Sequence, residues 1–218
     1  MPLPQPVTPP ALHELLNRTP QLWRGTRNTR TRILASGHAQ LDAVLPGGGW
    51  PVGALIELLH AQAGIGELRL ILPALRSLQH AHRRIVFVRP PYQPYAPALS
   101  RAQLCLEQLL FIDAPDDAQA RWAAEQALRC DAAGAVLLWS ETTEDRNLRR
   151  LQLAAETGQA LAFLYRSPDV LRQPSPAALR IALQPGEADD ALNEATLLRA
   201  QVVKARGGHH AQVQIHLS

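Results

Sequence analysis

The sequence alternates short apolar runs with helical segments over most of its length. The run Ala54–Leu59 is almost continuously apolar, which is typical of a strand buried on both faces of a parallel sheet. Similar runs cover residues 84–88, 109–113, 134–139 and 160–166, and helical patterns cover residues 67–81, 98–107, 118–130 and 147–158. A strand followed by a helix, repeated four times, predicts a parallel sheet with helices on both faces.

The pattern changes after Pro174. Segments 177–183, 195–206 and 211–217 alternate apolar and polar residues with a period of two, as antiparallel strands do. Gly207 and Gly208 lie between the last two segments and indicate a hairpin turn. We therefore predict an α/β fold over residues 35–218, with a mostly parallel sheet, flanking helices and antiparallel C-terminal edge strands.

A glycine-containing loop follows the strand Ala54–Leu59, at the place where a phosphate-binding loop is expected. A P-loop has the pattern G-x-x-x-x-G-K-[ST], in which the Lys contacts the phosphates and the hydroxyl holds Mg²⁺. Here Gly64 and Gly66 are present, but Glu67 stands at the Lys position and Leu68 at the hydroxyl position. Because a carboxylate repels a triphosphate, we predict a degenerate nucleotide site that binds no cofactor.

The two glycines leave two interpretations open. Gly64 and Gly66 could form a backbone nest for an anion at a helix N-terminus. Alternatively, they only allow a tight turn from strand to helix, and Glu67 caps that helix. The negative charge of Glu67 favours the second interpretation.

Residues 1–34 differ in composition from the rest of the chain. They contain a Pro-rich segment over 1–10, a short predicted helix from residue 11 to 16 and a basic stretch without a hydrophobic period. The net charge is only +3, so charge alone does not require nucleic acid as a partner. This arm is either a solvated linker or a phosphate-binding segment with weak affinity for DNA, and its candidate contacts are Arg24, Arg27, Arg30 and Arg32.

A second candidate contact surface begins at Arg89. The segment R-P-P-Y-Q-P-Y follows the carboxyl end of a predicted strand, which is the edge where α/β folds place their sites. Tyr92 and Tyr95 on a proline-stiffened loop suit contact with a protein or with single-stranded DNA. The alternative is that both tyrosines only cover the degenerate pocket.

Other kinds of site are not indicated. His209 and His210 lack a second pair of ligands, so no metal is expected, and no Ser/His/Asp, Cys/His or paired-carboxylate arrangement is evident. No run approaches the ~18 to 20 apolar residues of a membrane span. Cys105 and Cys130 form no disulfide framework, so we expect a reducing cytoplasm.

The order of elements and several phrases resemble the RecA-type ATPase core. G-A-L-I-E-L and R-I-V-F-V are similar to the first two strands of that family. The phrases L-P-G-G-G-W-P-V-G, G-I-G-E and V-V-K-A-R-G-G are more similar to its ImuA branch, sometimes described as SulA-like, and the likeness covers residues 35–215. The resemblance places Trp139 where an active family member has the Walker B Asp. It also leaves residues 89–100, where the catalytic Glu is expected, without a carboxylate.

This resemblance implies a non-catalytic RecA-like accessory protein of SOS-induced, error-prone translesion DNA synthesis. Its implied partners are ImuB, a polymerase homologue without activity, together with an error-prone polymerase and the RecA filament; self-association and a location at the nucleoid are further expectations. Two alternatives stay open. One is a SulA-like inhibitor of cell division, and the other is an active recombinase-type, DNA-dependent ATPase.

Overall fold

The computed structural model describes residues 32–141, 144–186, 196–208 and 210–217. These residues belong to one compact unit that runs from Arg32 to Ser218. The Pro-rich segment, the short helix and the first three arginines of the predicted arm lie outside the described residues. Ile33 and Leu34, which the sequence assigns to the arm, form a strand of the described unit.

The elements follow one another in the predicted alternation. The strands are β1 (Ile33–Leu34), β2 (Trp50–Pro51), β3 (Ala54–Leu59), β4 (Arg84–Val88), β5 (Leu109–Ile112), β6 (Ala133–Trp139), β7 (Leu161–Arg166), β8 (Leu179–Pro185), β9 (Thr196–Ala205) and β10 (Ala211–Leu217). The α-helices are α1 (Ala39–Asp42), α2 (Leu72–His80), α3 (Ala96–Arg101), α4 (Asp117–Arg129) and α5 (Asp145–Gly158). Short 3₁₀ turns cover Arg69–Ile71, Leu106–Gln108 and Pro168–Arg172.

The main sheet has eight strands in the order β10-β9-β8-β3-β7-β6-β4-β5. All pairings from β8 to β5 are parallel, whereas β8–β9 and β9–β10 are antiparallel. Strands β1 and β2 form a separate antiparallel pair. The prediction of a mixed α/β fold with a mostly parallel sheet and antiparallel C-terminal edge strands is therefore confirmed.

Both faces of the sheet are covered, which explains the apolar character of the central strands. Successive side chains of a strand point to opposite faces, and all six residues of β3 are buried. One face, which includes Ile56 and Phe163, packs with apolar residues of α2. The other face, which includes Leu55 and Leu164, packs with apolar residues of α4 and α5.

The predicted helix over 98–107 is wrong in its second half. Helix α3 ends at Arg101, and the backbone turns at Gln103, which has a φ of 61°. The side-chain amide of Gln79 donates to the carbonyl of Cys105 at 2.9 Å, and its oxygen accepts from the Cys105 N–H at 2.9 Å. These two bonds satisfy the Cys105 backbone groups outside a helix, so local helix propensity is overridden by a tertiary contact.

The residue that caps the end of α5 is not a glycine. Its last residue is Gly158, but the left-handed residue after it is Gln159, with a φ of 50° and a ψ of 42°. Gly158 is required for a different reason, since a Cβ there would lie 1.9 Å from the carbonyl oxygen of Leu128 in α4. The glycine therefore permits the close approach of α4 and α5.

No helix within the described ranges is long and apolar enough to span a bilayer.

Candidate functional site

A cavity of about 570 Å³ lies where the carboxyl ends of β3, β7, β6 and β4 meet. This edge is the usual place for sites in open α/β sheets. The lining residues that matter for its chemistry are His60, Arg89, Tyr92, Trp139, Tyr165 and Arg166. The sequence predicted three of these positions as candidate site residues, and the structure brings them together with three that it did not.

In the loop after β3, the backbone is hydrogen-bonded to a carboxylate of the same loop, that of Glu67. The N–H of Gly64 donates to Glu67 Oε1 at 2.9 Å and to Oε2 at 3.1 Å. Gly64 and Gly66 have positive φ angles of 88° and 103°, which a glycine adopts without strain. The amide that could bind a phosphate is therefore already hydrogen-bonded within the loop.

The expectation that Glu67 caps the following helix is wrong. Its carboxylate bonds back to Gly64, and the next element is the 3₁₀ turn Arg69–Ile71, whose N-cap residue Leu68 makes no side-chain capping bond. The α-helix begins only at Leu72, with Pro73 in its first turn, where a missing N–H is tolerated. Glu67 thus closes the loop rather than starting the helix.

Trp139 is the last residue of β6 and stacks on aromatic neighbours on both sides. Its ring lies 4.5 Å from that of Tyr165, with an angle of 6° between the planes, and 6.3 Å from that of Phe87. Phe87 in turn stacks on Phe111 at 4.9 Å. A row of aromatic rings therefore crosses β7, β6, β4 and β5, and an indole stands at the position that the sequence predicts to have lost its metal-binding Asp.

A buried ionic cluster lies at the same end of the sheet. Glu57 of β3 accepts from Arg180 Nε at 2.7 Å and from Arg166 Nη1 at 3.4 Å, and the hydroxyl of Ser175 also donates to it. The three charged side chains are between 0% and 6% exposed. Burial lowers the pKa of the Arg166 guanidinium, and the neighbouring Glu57 carboxylate opposes that effect.

The two guanidiniums differ in how they are satisfied. Arg180 also donates to the carbonyls of Gln173 and Val170, at 2.9 and 2.8 Å. Arg166 Nε and Nη2 are buried and have no hydrogen-bond partner within the described part of the chain. One carboxylate shared by two guanidiniums leaves the cluster with one positive charge in excess.

The loop after β4 presents its two tyrosines to solvent. Tyr92 is 76% exposed and Tyr95 is 66% exposed, so neither ring is buried over the cavity, although Tyr92 contributes to its rim. Arg89 has a φ of 52° and lies 3.7 Å from the carboxylate of Asp117. The role of these three residues as partner contacts stays a prediction.

Of the remaining candidate contacts, only Arg32 belongs to the described residues, and it does not line this cavity. Arg24, Arg27 and Arg30 precede the described residues, and Arg32 is exposed beside β1, where its carbonyl accepts from the Val52 N–H at 2.8 Å. No group of three or more His, Cys, Asp or Glu side chains that could hold a metal occurs in ranges 32–141, 144–186, 196–208 and 210–217.

Sequence reasoning missed His60, Tyr165 and Arg166 as site residues. Each lies at or just after the carboxyl end of a central strand, and that position was the available signal. Glu57 gave a second signal, since a charged residue inside an apolar strand requires a buried partner.

Comparisons with known proteins relate this chain to two groups. It is 30% identical over 112 residues to the cell division inhibitor SulA of Photorhabdus laumondii, a match that covers 51% of this chain and 63% of that protein. It is 29% identical over 150 residues to the protein ImuA of Caulobacter vibrioides, a match that covers 66% of this chain and 61% of that protein. The chain is ImuA- and SulA-like in sequence. The predicted resemblance to ImuA and SulA is thereby confirmed.

The matches cover only part of the length of the curated relatives. The ImuA- and SulA-like chain spans about three fifths of the length of the curated ImuA and SulA proteins it matches. Among solved structures, it is similar to SulA from Pseudomonas aeruginosa, with 30% identity, a TM-score of 0.44, and coverage of 51% of this chain and 97% of that chain. No family model matches the chain.

Proposed function

We propose that this chain is a non-catalytic, RecA-like accessory protein of SOS-induced, error-prone translesion DNA synthesis. In this proposal it works through contacts with an ImuB-type polymerase homologue and an error-prone polymerase, in the cytoplasm at the nucleoid. Similarity to ImuA over 150 residues supports this assignment. The RecA-type core is part of the proposal and agrees with the parallel strands and the loop after β3.

The observation that carries the non-catalytic assignment is the bond between Glu67 and Gly64. A P-loop needs free backbone N–H groups, a cation and a hydroxyl for Mg·ATP. In this loop a carboxylate accepts from the Gly64 N–H at 2.9 and 3.1 Å, and Leu68 provides no hydroxyl. The Trp139 indole, stacked between Tyr165 and Phe87, offers no oxygen ligand for the metal.

The first prediction is that the purified chain shows no ATP turnover above background, with or without single-stranded DNA. The physical reason is that a triphosphate would have to displace the Glu67 carboxylate and then lie beside its charge. A coupled ATPase assay on the wild-type chain and the charge-neutral variant Glu67→Gln measures this. Turnover in the wild type that Glu67→Gln abolishes would show that Glu67 is catalytic and would refute the proposal.

The second prediction concerns the tyrosine loop. We expect that an ImuB-type partner is retained by the wild-type chain and that Tyr92→Ala with Tyr95→Ala weakens this binding about 30-fold or more, as for a contact of at least ~2 kcal/mol. Both rings are exposed on a proline-containing loop, and a tyrosine side chain has few rotatable bonds to immobilise on binding. Titration of labelled protein with the partner gives the dissociation constants.

The matched control for that titration is Trp122→Ala. Trp122 is a similarly exposed aromatic residue, 62% exposed, but it lies on α4 rather than on the tyrosine loop. The control is expected to bind like the wild type. Equal losses in both variants would mean that the tyrosine loop is not the specific contact.

A second candidate function is inhibition of cell division, because the match to SulA reaches 30% identity over 112 residues. Overproduction in bacteria separates the two candidates. Filamentous cells, together with binding to the division GTPase and no binding to an ImuB-type partner, would favour the inhibitor. Normal cell length with retention of the ImuB-type partner would favour the accessory protein.

A further inference from the structure

Several polar atoms around the cavity have no hydrogen-bond partner in the described ranges of the chain. They are Arg166 Nε and Nη2, Trp139 Nε1, Tyr165 OH and His60 Nε2, and all are buried. A buried polar group without a partner costs free energy, so native proteins rarely leave one. Such atoms also occur elsewhere in the described residues, for example Trp50 Nε1 and Arg83 Nε, but five of them lie around this one cavity, which points to a ligand that supplies their partners.

The unpaired atoms of Arg166 form a specific recognition element. Its Nη1 donates to Glu57 at 3.4 Å, and the opposite edge of the guanidinium is left without a hydrogen-bond partner in the described residues. On that edge the Nε–H and one Nη2–H point in the same direction, in the fixed fork geometry of arginine. Such a fork matches the two oxygens of one carboxylate in a bidentate pair.

The local charge favours a ligand with one negative charge. Glu57 is shared by Arg166 and Arg180, so the buried cluster carries one positive charge in excess. Glu141 lines the cavity and is exposed to solvent. The Glu67 carboxylate lies near enough to Tyr165 to contribute to raising the pKa of its hydroxyl, after burial, the larger cause. Glu141 also offsets part of the charge on Arg166, since it opposes the lowering of the pKa of that guanidinium by burial. Both carboxylates repel a triphosphate more strongly than they repel a ligand with a single negative charge.

Uncharged hydrogen-bonding groups also lie around the cavity. Tyr165 and Arg166 are consecutive residues of β7 and point to opposite faces of the strand, so the cavity extends around the strand ends. One side has the guanidinium fork of Arg166, which is covered in this structure because the side chain is only 1% exposed, so a ligand reaches the fork once the cavity wall shifts. The other presents the indole N–H of Trp139, the hydroxyl of Tyr165 and the ring of His60, whose Nδ1 donates to the Gln62 carbonyl at 2.9 Å. The donors of Arg166, Trp139 and Tyr165 suit a carboxylate together with peptide carbonyls, whereas the second nitrogen of a neutral His60 ring accepts a hydrogen bond.

We propose that this cavity binds the acidic side chain of a peptide segment from a protein partner, with its carboxylate held by Nε and Nη2 of Arg166. The backbone carbonyls of the segment accept from Trp139 and Tyr165. Tyr92 and Pro91 at the exposed rim contact the residues beside the acidic one. This inference rests on the proposed function, since it gives the protein-contact role a specific recognition site.

The test is a nuclear magnetic resonance titration of the full ¹⁵N-labelled chain, in which the indole N–H of Trp139 and the arginine Nε–H signals report binding. The probes are a capped peptide of glycines with one central glutamate, the same peptide with glutamine, and free glutarate. We expect saturable binding of the glutamate peptide that is about tenfold or more tighter than that of the glutamine peptide, because a charged hydrogen-bonded pair is lost. Trp139→Phe assigns the indole signal.

Arg166→Lys tests the fork, because lysine keeps the charge but loses the bidentate geometry. We expect the affinity for the glutamate peptide to fall about tenfold. Arg149→Lys is the matched control, since Arg149 is 68% exposed on α5 and pairs only with Asp145 among the described residues. The control is expected to bind like the wild type.

The wild-type comparison of the two peptides decides the question even if Arg166→Lys does not fold. Equal binding of the glutamate and glutamine peptides would overturn the carboxylate site. If glutarate bound as tightly as the glutamate peptide, the ligand would be a small carboxylate, and the proposal of a peptide segment would be refuted. Because no ImuB-type protein is present in this titration, its failure is distinguishable from failure of the proposed function in the partner-binding experiment.

Discussion

Replacement of Glu57 by glutamine is expected to lower the free energy of unfolding by about 3–5 kcal/mol, the usual cost of breaking a buried ion pair. Glu57 is fully buried in β3 and is the carboxylate shared by Arg166 and Arg180. Glutamine keeps the shape and can still accept hydrogen bonds, but it leaves two buried guanidiniums without a counter-charge. Urea unfolding followed by circular dichroism measures the difference.

Glu125→Gln is the matched control for this experiment. Glu125 also pairs with two arginines, Arg129 at 2.9 Å and Arg150 at 2.6 Å. Those arginines are 46% and 50% exposed, so water can solvate them once the carboxylate is gone. The control is expected to lose about 1 kcal/mol or less. Similar losses in the two variants would contradict the view that the Glu57 cluster is energetically distinct.

The central strands of this fold are largely predictable because burial on both faces produces runs that are apolar at nearly every position. Each predicted central run corresponds to a strand, from Ala54–Leu59 to Leu161–Arg166. The period-two segments after Pro174 likewise form the antiparallel strands β8 to β10. The helix over 98–107 was not predictable in full, since it is ended by the side chain of Gln79, which is 26 residues away from Cys105.

The candidate site was predictable in its position but not in its contents. Trp139 and the loop at Gly64 lie at the carboxyl edge of the sheet, as their places after apolar runs indicate. The partnership of Glu57 with Arg166 and Arg180 depends on the sheet order β8-β3-β7, in which strands far apart in sequence become neighbours. Pattern alone shows that Glu57 needs a partner, but only the strand order shows which residue it is.

The same strand order connects stability with recognition. Glu57 orients Arg166 through one nitrogen, and the remaining edge of the guanidinium is buried without a hydrogen-bond partner among the described residues. In the proposed function, the edge of the sheet that carries sites in open α/β folds keeps a charged cavity whose ligand is a carboxylate rather than a triphosphate. Unsatisfied polar atoms at such an edge are a feature that functional sites retain at a cost in stability.

The second large effect is expected for Gly158→Ala, which we predict lowers the free energy of unfolding by about 3 kcal/mol, at the upper end of the usual range for overpacking. The added Cβ would lie 1.9 Å from the carbonyl oxygen of Leu128, so α4 and α5 would have to separate. The obstructing atom belongs to the backbone and cannot rotate away. The intrinsic helix preference of alanine over glycine, about 1 kcal/mol, offsets only part of this cost.

Thr157→Ala provides the control for the helix contact. Thr157 is the preceding residue of α5, is exposed, and donates its hydroxyl to the Leu153 carbonyl at 2.8 Å. Its replacement is expected to change the free energy of unfolding by about 0.5 kcal/mol or less. Urea unfolding of both variants compares a change at the α4–α5 contact with one on the solvent side. If Gly158→Ala were as stable as the wild type, the two helices could not approach as closely as the structure places them, and the packing of this face of the sheet would need revision.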